Sequence, residues 1–152
     1  MKNILFVCTG NSCRSVMAEG LFKHMTAGRK GEFLVSSAGV GAMDGFPASD
    51  ETIRVMKDEG IDVSGHQSRK LTLAMAKSAD KTYVMEKMHR EMVLRLCPES
   101  AGKVFLLTEV VSHGNGVAAD TDIPDPIQMS GMFYKNVLFI IRDCIGKIVT
   151  GL

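Results

Sequence analysis

The chain opens on a short apolar run, Lys2-Asn3-Ile4-Leu5-Phe6-Val7-Cys8, that stops abruptly at Thr9-Gly10-Asn11. A continuous apolar stretch of this length, ended by Gly and Asn, predicts a strand buried on both faces. From residue 15 to about residue 25 the apolar positions Val16, Met17, Leu21, Phe22 and Met25 recur at helical spacing. A buried strand feeding a helix through one tight turn is the opening move of an α/β fold, and the rest of the chain repeats it.

Residues 33–36 read as a second short strand. Pro47 suits the first position of a helix that carries Ile53, Val55 and Met56 and is closed by Gly60. Residues 72–79 read as a further helix and 82–85 as a third strand. The next helix, with Met88, Met92 and Leu96 on one face, stops at Pro98; Met85, Met88 and Met92 are expected to fill the core. Residues 104–107 form the fourth expected strand. The Gly-, Asp- and Pro-rich stretch 112–131 reads as a functional loop, and an amphipathic helix from about 132 to 149 closes the chain. Alternating strands and helices predict a three-layer αβα sandwich around a four-stranded parallel sheet. With no internal repeat, low-complexity tract or linker, residues 1–152 are expected to form one domain.

Charge and composition narrow the function classes. Lys and Arg number 18 against 17 Asp and Glu, so no electrostatic case exists for nucleic acid or an anionic membrane. The N-terminal apolar run is too short for a signal-peptide core, and no stretch approaches the roughly 18 apolar residues of a membrane span. A cytoplasmic protein is expected. In that reducing compartment Cys8, Cys13, Cys97 and Cys144 do not read as a disulfide framework, and they lack the paired spacing of a zinc site.

The residues that join the first strand to the first helix carry the chemistry. Cys8 and Arg14 stand in C-x5-R spacing within Cys8-Thr9-Gly10-Asn11-Ser12-Cys13-Arg14-Ser15. An oxyanion needs several donors converging on it, and successive backbone N–H groups from Thr9 to Ser15 in a tight loop supply them. The following helix adds its unsatisfied N–H groups and positive dipole end. Gly10 lets the backbone turn, and Asn11 tolerates a left-handed conformation. Arg14 closes the cradle with a planar, two-pronged donor that Lys could not reproduce. A positive pocket favours the thiolate of a cysteine at its floor, which makes Cys8 the expected nucleophile. Ser15, at the helix start, can donate to that sulfur as it departs. Ligands of open parallel sheets sit beyond the carboxyl ends of the strands, where Cys8 lies.

The run CTGNSCRS, followed by Met17-Ala18-Glu19, closely resembles the phosphate loop of the low-molecular-weight protein tyrosine phosphatase superfamily. Ser36-Ser37-Ala38-Gly39, the stretch from Gly60 through His66, Ala79-Asp80 and Asp125-Pro126 resemble that family's landmarks in the same order. The resemblance implies a four-stranded parallel sheet flanked by helices, a nucleophile at Cys8, a phosphate clamp at Arg14 and a general acid at Asp125. It also implies that Asn11, Ser37 and His66 form a hydrogen-bond network that holds the loop. No cofactor or metal is expected. The partner is a phosphorylated protein, and a monomer is the default.

Asp120, Asp122 and Asp125 all lie in the long loop, and any of them could protonate a leaving group and then activate water. Asp125 is preferred because Pro126 stiffens the backbone beside it and because of the family match; Asp120 and Asp122 are expected to be solvated. His24, His89 and His113 show no ligand spacing. Cys13 reads as a small buried residue beneath the first helix, with a protective disulfide to Cys8 as the alternative.

Three branches of the superfamily remain open for the substrate. The tyrosine phosphatases usually carry a bulky aliphatic where this chain has Ser12 and two aromatics after Asp-Pro, where it has Ile127 and Gln128. The bacterial arginine phosphatases carry Thr at the Ser12 position and a similar spacing from Asp-Pro to Tyr134-Lys135. Thioredoxin-coupled arsenate reductases match the loop including Ser12, yet need further cysteines after the third strand, where Glu86 stands. Hydrolysis of phosphotyrosine or phosphoarginine through a phosphocysteine is therefore expected. Arsenate reduction and a non-catalytic phosphate-binding module are the alternatives.

Overall fold

The computed structural model describes residues 1–111 and 121–152. Its elements run β1 (Lys2–Cys8), α1 (Arg14–Met25), β2 (Phe33–Gly39), α2 (Asp50–Asp58), α3 (Leu73–Ser78), β3 (Lys81–Val84), α4 (Lys87–Leu96), β4 (Val104–Leu106) and α5 (Gly131–Thr150). The four strands form one parallel sheet in the order β2-β1-β3-β4. The chain moves outward from β1 to β2 and then crosses back to β3, so the strand order reverses at β1. Such a switch point opens a crevice at the carboxyl end of β1, and Cys8 is the last residue of that strand.

The strict alternation of a strand sorts β1 into two cores. Ile4, Phe6 and Cys8 face a cluster with Val16, Met17 and Phe22 of α1 and with Ile141 and Ile145 of α5. Leu5 and Val7 face the other side, against Ala76 of α3, Val93 of α4 and Leu106 of β4. Across the first face Phe6, Tyr83 and Phe105 stand in register on neighbouring strands, with ring centroids 5.7 and 6.0 Å apart. Burial on both faces explains why β1 is an unbroken apolar run. Among the described residues no helix is long and apolar enough to cross a membrane.

Three expectations need correction. Pro47 does not open α2; it lies outside the helix, and Ser49 is the cap, its Oγ accepting the Thr52 N–H at 3.2 Å. Strand β2 continues to Gly39, three residues past the expected end, because its register with β1 runs as far as Cys8↔Gly39. Met88 and Met92 are not core residues. Both are exposed, as is Leu96, while His89 and Val93, one position further round the helix, face the sheet; Met85 is buried as expected. Gly60 does end α2, in a left-handed conformation with φ of 78° that suits a residue without a Cβ.

Candidate active site

Residues 9–13 form a tight loop between β1 and α1, and its shape depends on Asn11. That residue adopts φ of 53°, a left-handed conformation that Asn tolerates better than most side chains. Its Nδ2 donates to Ser15 Oγ at 2.8 Å and to Ser37 Oγ at 2.9 Å, and its Oδ1 accepts the Arg69 N–H at 2.9 Å. The Asn11 carbonyl lies 2.8 Å from His66 Nε2, and Ser37 Oγ donates onward to Glu19 at 2.5 Å. β2 crowds the loop from the side. A Cβ on Gly39 would stand 2.5 Å from the Thr9 carbonyl oxygen, so only glycine lets the two backbones approach this closely.

Cys8 Sγ is buried at the floor, 2.9 Å from Ser15 Oγ. Since Ser15 Oγ accepts from Asn11, its own proton is available for the sulfur. The first turn of α1 has neither a side-chain cap nor an acidic residue, so among the described residues no capping side chain takes its orphan N–H groups and no first-turn acid offsets its dipole. Anions are favoured at such an end.

Arg14 is almost completely buried. Its Nη1 donates to Glu86 Oε2 at 2.5 Å and to the Ile123 carbonyl at 2.7 Å. Nη2 lies 3.5 Å from both Thr9 Oγ1 and Asp125 Oδ2. Among the described residues its Nε has no hydrogen-bond partner. A buried, charged N–H without a protein acceptor fits a site built to take an oxyanion, because burying it idle costs free energy.

Asp125 reaches this cluster on an anchored strand of loop. Ile123, buried just ahead of it, donates its N–H to the Met85 carbonyl at 2.9 Å and accepts from Arg14 through its own carbonyl. The Asp125 carboxylate is exposed and takes the Ile127 N–H at 3.1 Å, a local turn that fixes its direction. Asp122 is not merely solvated, since its Oδ1 accepts the Lys87 N–H at 2.9 Å at the start of α4. Asp120 and His113 lie outside the described residues, as does the first part of the expected loop.

Cys13 is buried beneath α1 among hydroxyls, 3.4 Å from Ser49 Oγ and 3.6 Å from both Ser12 Oγ and Tyr134 OH. Burial is the main reason the Tyr134 phenol is pushed up to about 12. Tyr134 therefore stays neutral and serves under the loop rather than on its rim.

A family model described as low molecular weight phosphotyrosine protein phosphatase matches residues 3–152. The chain belongs to that family. The low molecular weight protein-tyrosine-phosphatase Ptp of Acinetobacter johnsonii is 35% identical over 145 residues, covering 95% of this chain and 94% of its own. The solved low molecular weight protein tyrosine phosphatase of T. tengcongensis superposes with a TM-score of 0.89 at 37% identity, covering 100% of each chain. A mutant of the YwlE arginine phosphatase, solved with a phosphorylated active-site serine in place of cysteine, gives a TM-score of 0.90 at 30% identity over 99% of this chain and 95% of its own.

Within this phosphatase scaffold, several side chains at the loop escaped the sequence reading. Glu19 and Arg69 brace the Asn11–Ser37 pair, with Arg69 also reaching the Ser37 carbonyl at 3.5 Å. Glu86, in the turn after β3, pairs with Arg14, and His89, in the first turn of α4, has Nε2 2.8 Å from Thr9 Oγ1. One signal could have found them. Glu86-x-x-His89 follows a buried strand at the same sheet end as Cys8, and a polar side chain there either caps the next helix or serves the site. Here the pair does both.

Proposed function

We propose that the chain is a cysteine-dependent phosphoprotein phosphatase acting in two steps through a phosphocysteine. One observation carries the reading: a buried thiol, the start of α1 and a buried Arg14 meet at the carboxyl end of β1, and among the described residues neither the helix start nor the Arg14 Nε–H has a side-chain partner. In the first step the Cys8 thiolate attacks phosphorus. The S–P bond forms, the bond to the leaving atom breaks, and Asp125 gives that atom its proton. Backbone N–H groups from Thr9 to Ser15, with Arg14, take the charge on the equatorial oxygens. In the second step water attacks phosphorus while Asp125 accepts its proton, and the S–P bond breaks with Ser15 donating to the sulfur. Asn11, Ser37 and His66 hold the loop in the shape both steps need.

Phosphotyrosine on a protein is the substrate best supported. Phe46 and Ile127 are exposed on the two segments flanking the loop, one tied to it by the Ser49 N–H donated to the Ser12 carbonyl, the other carrying Asp125. Apolar surface at that rim suits an aromatic ring. A second reading, phosphoarginine, is favoured by the likeness to YwlE and by Ile127-Gln128, which follow Asp125-Pro126 where the tyrosine phosphatases usually carry two aromatics. Arsenate reduction is disfavoured because Cys97 lies in the core on the opposite face of the sheet from Cys8. The reading takes the protein as cytoplasmic and as a monomer, the default for a chain of this size and family.

Hydrolysis of p-nitrophenyl phosphate by the wild type and Cys8→Ser tests the mechanism, and equal rates would remove Cys8 from it. Phosphotyrosine and phosphoarginine peptides offered side by side, with arsenate plus thioredoxin as a third arm, then decide the substrate class.

A further inference from the structure

His89 is fully buried in the first turn of α4, yet both of its ring nitrogens are engaged. Nδ1 accepts the Glu86 backbone N–H at 3.0 Å. An imidazolium would place a second proton on Nδ1, against that donor. The ring is therefore neutral and carries its hydrogen on Nε2. Nε2 lies 2.8 Å from Thr9 Oγ1, the hydroxyl of the residue next to the nucleophile, whereas the Glu86 carboxylate is 3.8 Å away. Burial, and then the nearby charge of Arg14, push the imidazole down to about 4, against the opposing pull of Glu86, Asp122 and Asp125.

A fixed donor at Nε2 determines what Thr9 can do. A threonine hydroxyl has one proton and two acceptor sites. His89 fills one acceptor site, and Arg14 Nη2 approaches the other at 3.5 Å. The hydroxyl proton is thereby left to donate. Arg14 Nη2 stands equally close to Asp125, so the hydroxyl is part of the cluster formed by the phosphate clamp and the acid.

We propose that His89 is a positioning residue: by donating from Nε2 to Thr9 Oγ1, it turns the Thr9 hydroxyl into a donor for the phosphoryl oxygens in the cradle. The proposal rests on the phosphate-binding role of the loop argued above. A histidine that merely filled space would act on fold stability and leave Thr9 indifferent to phosphate.

The test measures the affinity for inorganic phosphate by calorimetry and kcat/KM for p-nitrophenyl phosphate. The proteins are the wild type, Thr9→Val, His89→Leu, His89→Gln and the double variant His89→Leu/Thr9→Val. Thr9→Val and His89→Leu should each weaken phosphate binding and kcat/KM by about tenfold, the effect of one lost hydrogen bond to a charged group. The double variant should be no worse than Thr9→Val. His89→Gln, which keeps a donor near Nε2, should stay within about threefold of the wild type. Multiplicative losses in the double variant, or Thr9→Val binding phosphate as tightly as the wild type, would overturn the proposal. If His89→Leu does not fold, Thr9→Val and His89→Gln decide by the same criteria. Phosphate binding with turnover that survives Cys8→Ser would sink the phosphatase mechanism alone and leave this series readable.

Discussion

Arg14 and Glu86 are 72 residues apart in sequence, and in the structure Nη1 of one meets Oε2 of the other at 2.5 Å. Arg14 is the most deeply buried cation near the loop, and a buried charge needs a partner. Glu86 supplies it from the turn after β3 and is itself about a quarter exposed. The pair holds the guanidinium by its Nη1 edge, and among the described residues Nε has no partner.

Glu86→Ala is therefore expected to lower folding stability by about 2 kcal/mol, less than a fully buried pair would lose, because the Ile123 carbonyl still accepts from Nη1. A guanidinium free to swing also misplaces the clamp, so kcat/KM should fall by about a hundredfold. Glu86→Gln keeps an acceptor at the same reach and should recover most of both. Urea midpoints and steady-state rates on the three proteins check this. Equal activity in all three would mean that Arg14 needs no lateral support.

Asn11 concentrates more of the loop's shape than any other side chain. Asn11→Ala removes two donated bonds and one accepted bond and places alanine in a left-handed conformation. A loss of about 3 kcal/mol is expected. Ser37→Ala should cost about 1 kcal/mol. Because the two share a bond, the double variant should lose less than the sum, by about 0.5 kcal/mol or more. Denaturant titrations of the four proteins measure the coupling, and strict additivity would show that the Asn11–Ser37 bond adds nothing.

For Asp125→Ala the expected signature depends on the leaving group. Toward a phosphotyrosine peptide kcat/KM should drop by about two to three orders of magnitude, the usual worth of a positioned acid. The drop should be smaller for p-nitrophenyl phosphate, whose leaving group departs without help. Phosphate affinity should stay within about threefold, since the carboxylate only flanks the cradle. A uniform loss across both substrates would assign Asp125 to loop structure instead.

How far the sequence could be read depends on how local each interaction is. Strand β1, the turn at Asn11 and the start of α1 are contiguous, so spacing alone laid out Cys8, Ser15 and Arg14 together. Helix α2 shows the limit of start signals. Pro47 and Ser49 both announce a helix, and only the reach of Ser49 Oγ to the Thr52 N–H decides between them. Helix α4 failed more instructively. Met88, Met92 and Leu96 form an apolar stripe, but the stripe one position on, His89, Val93 and Cys97, is the one packed on the sheet. Its polar first member disguised it, and that member is polar because it serves Thr9 as well as the core. Glu19, Arg69 and Glu86 were invisible for a related reason: a charged residue at such distances names no partner until the sheet order brings the segments together.

The neutrality of His89 also predicts how stability varies with pH. Its imidazole is lowered from 6.5 to about 4 in the folded chain, first by burial and then by the charge of Arg14. Above pH 6.5 the ring is neutral in both states, and its contribution is fully present. As pH falls from 6.5 toward 4 the unfolded chain takes up a proton that the folded chain refuses, so stability declines through that window. Below about 4 the folded protein binds the proton too, and the decline levels off. The loss attributable to this one ring is about 3 kcal/mol. Glu86, Asp122 and Asp125 act on the ring through their charge, so the wild type must be compared with His89→Gln, which keeps them and lacks the imidazole. Urea midpoints from pH 7 to pH 4 should fall more steeply for the wild type, and the two curves should converge on the acid side. Parallel curves would mean that the ring is already charged in the folded protein, or open to water, and that Nε2 is not held as a fixed donor to Thr9.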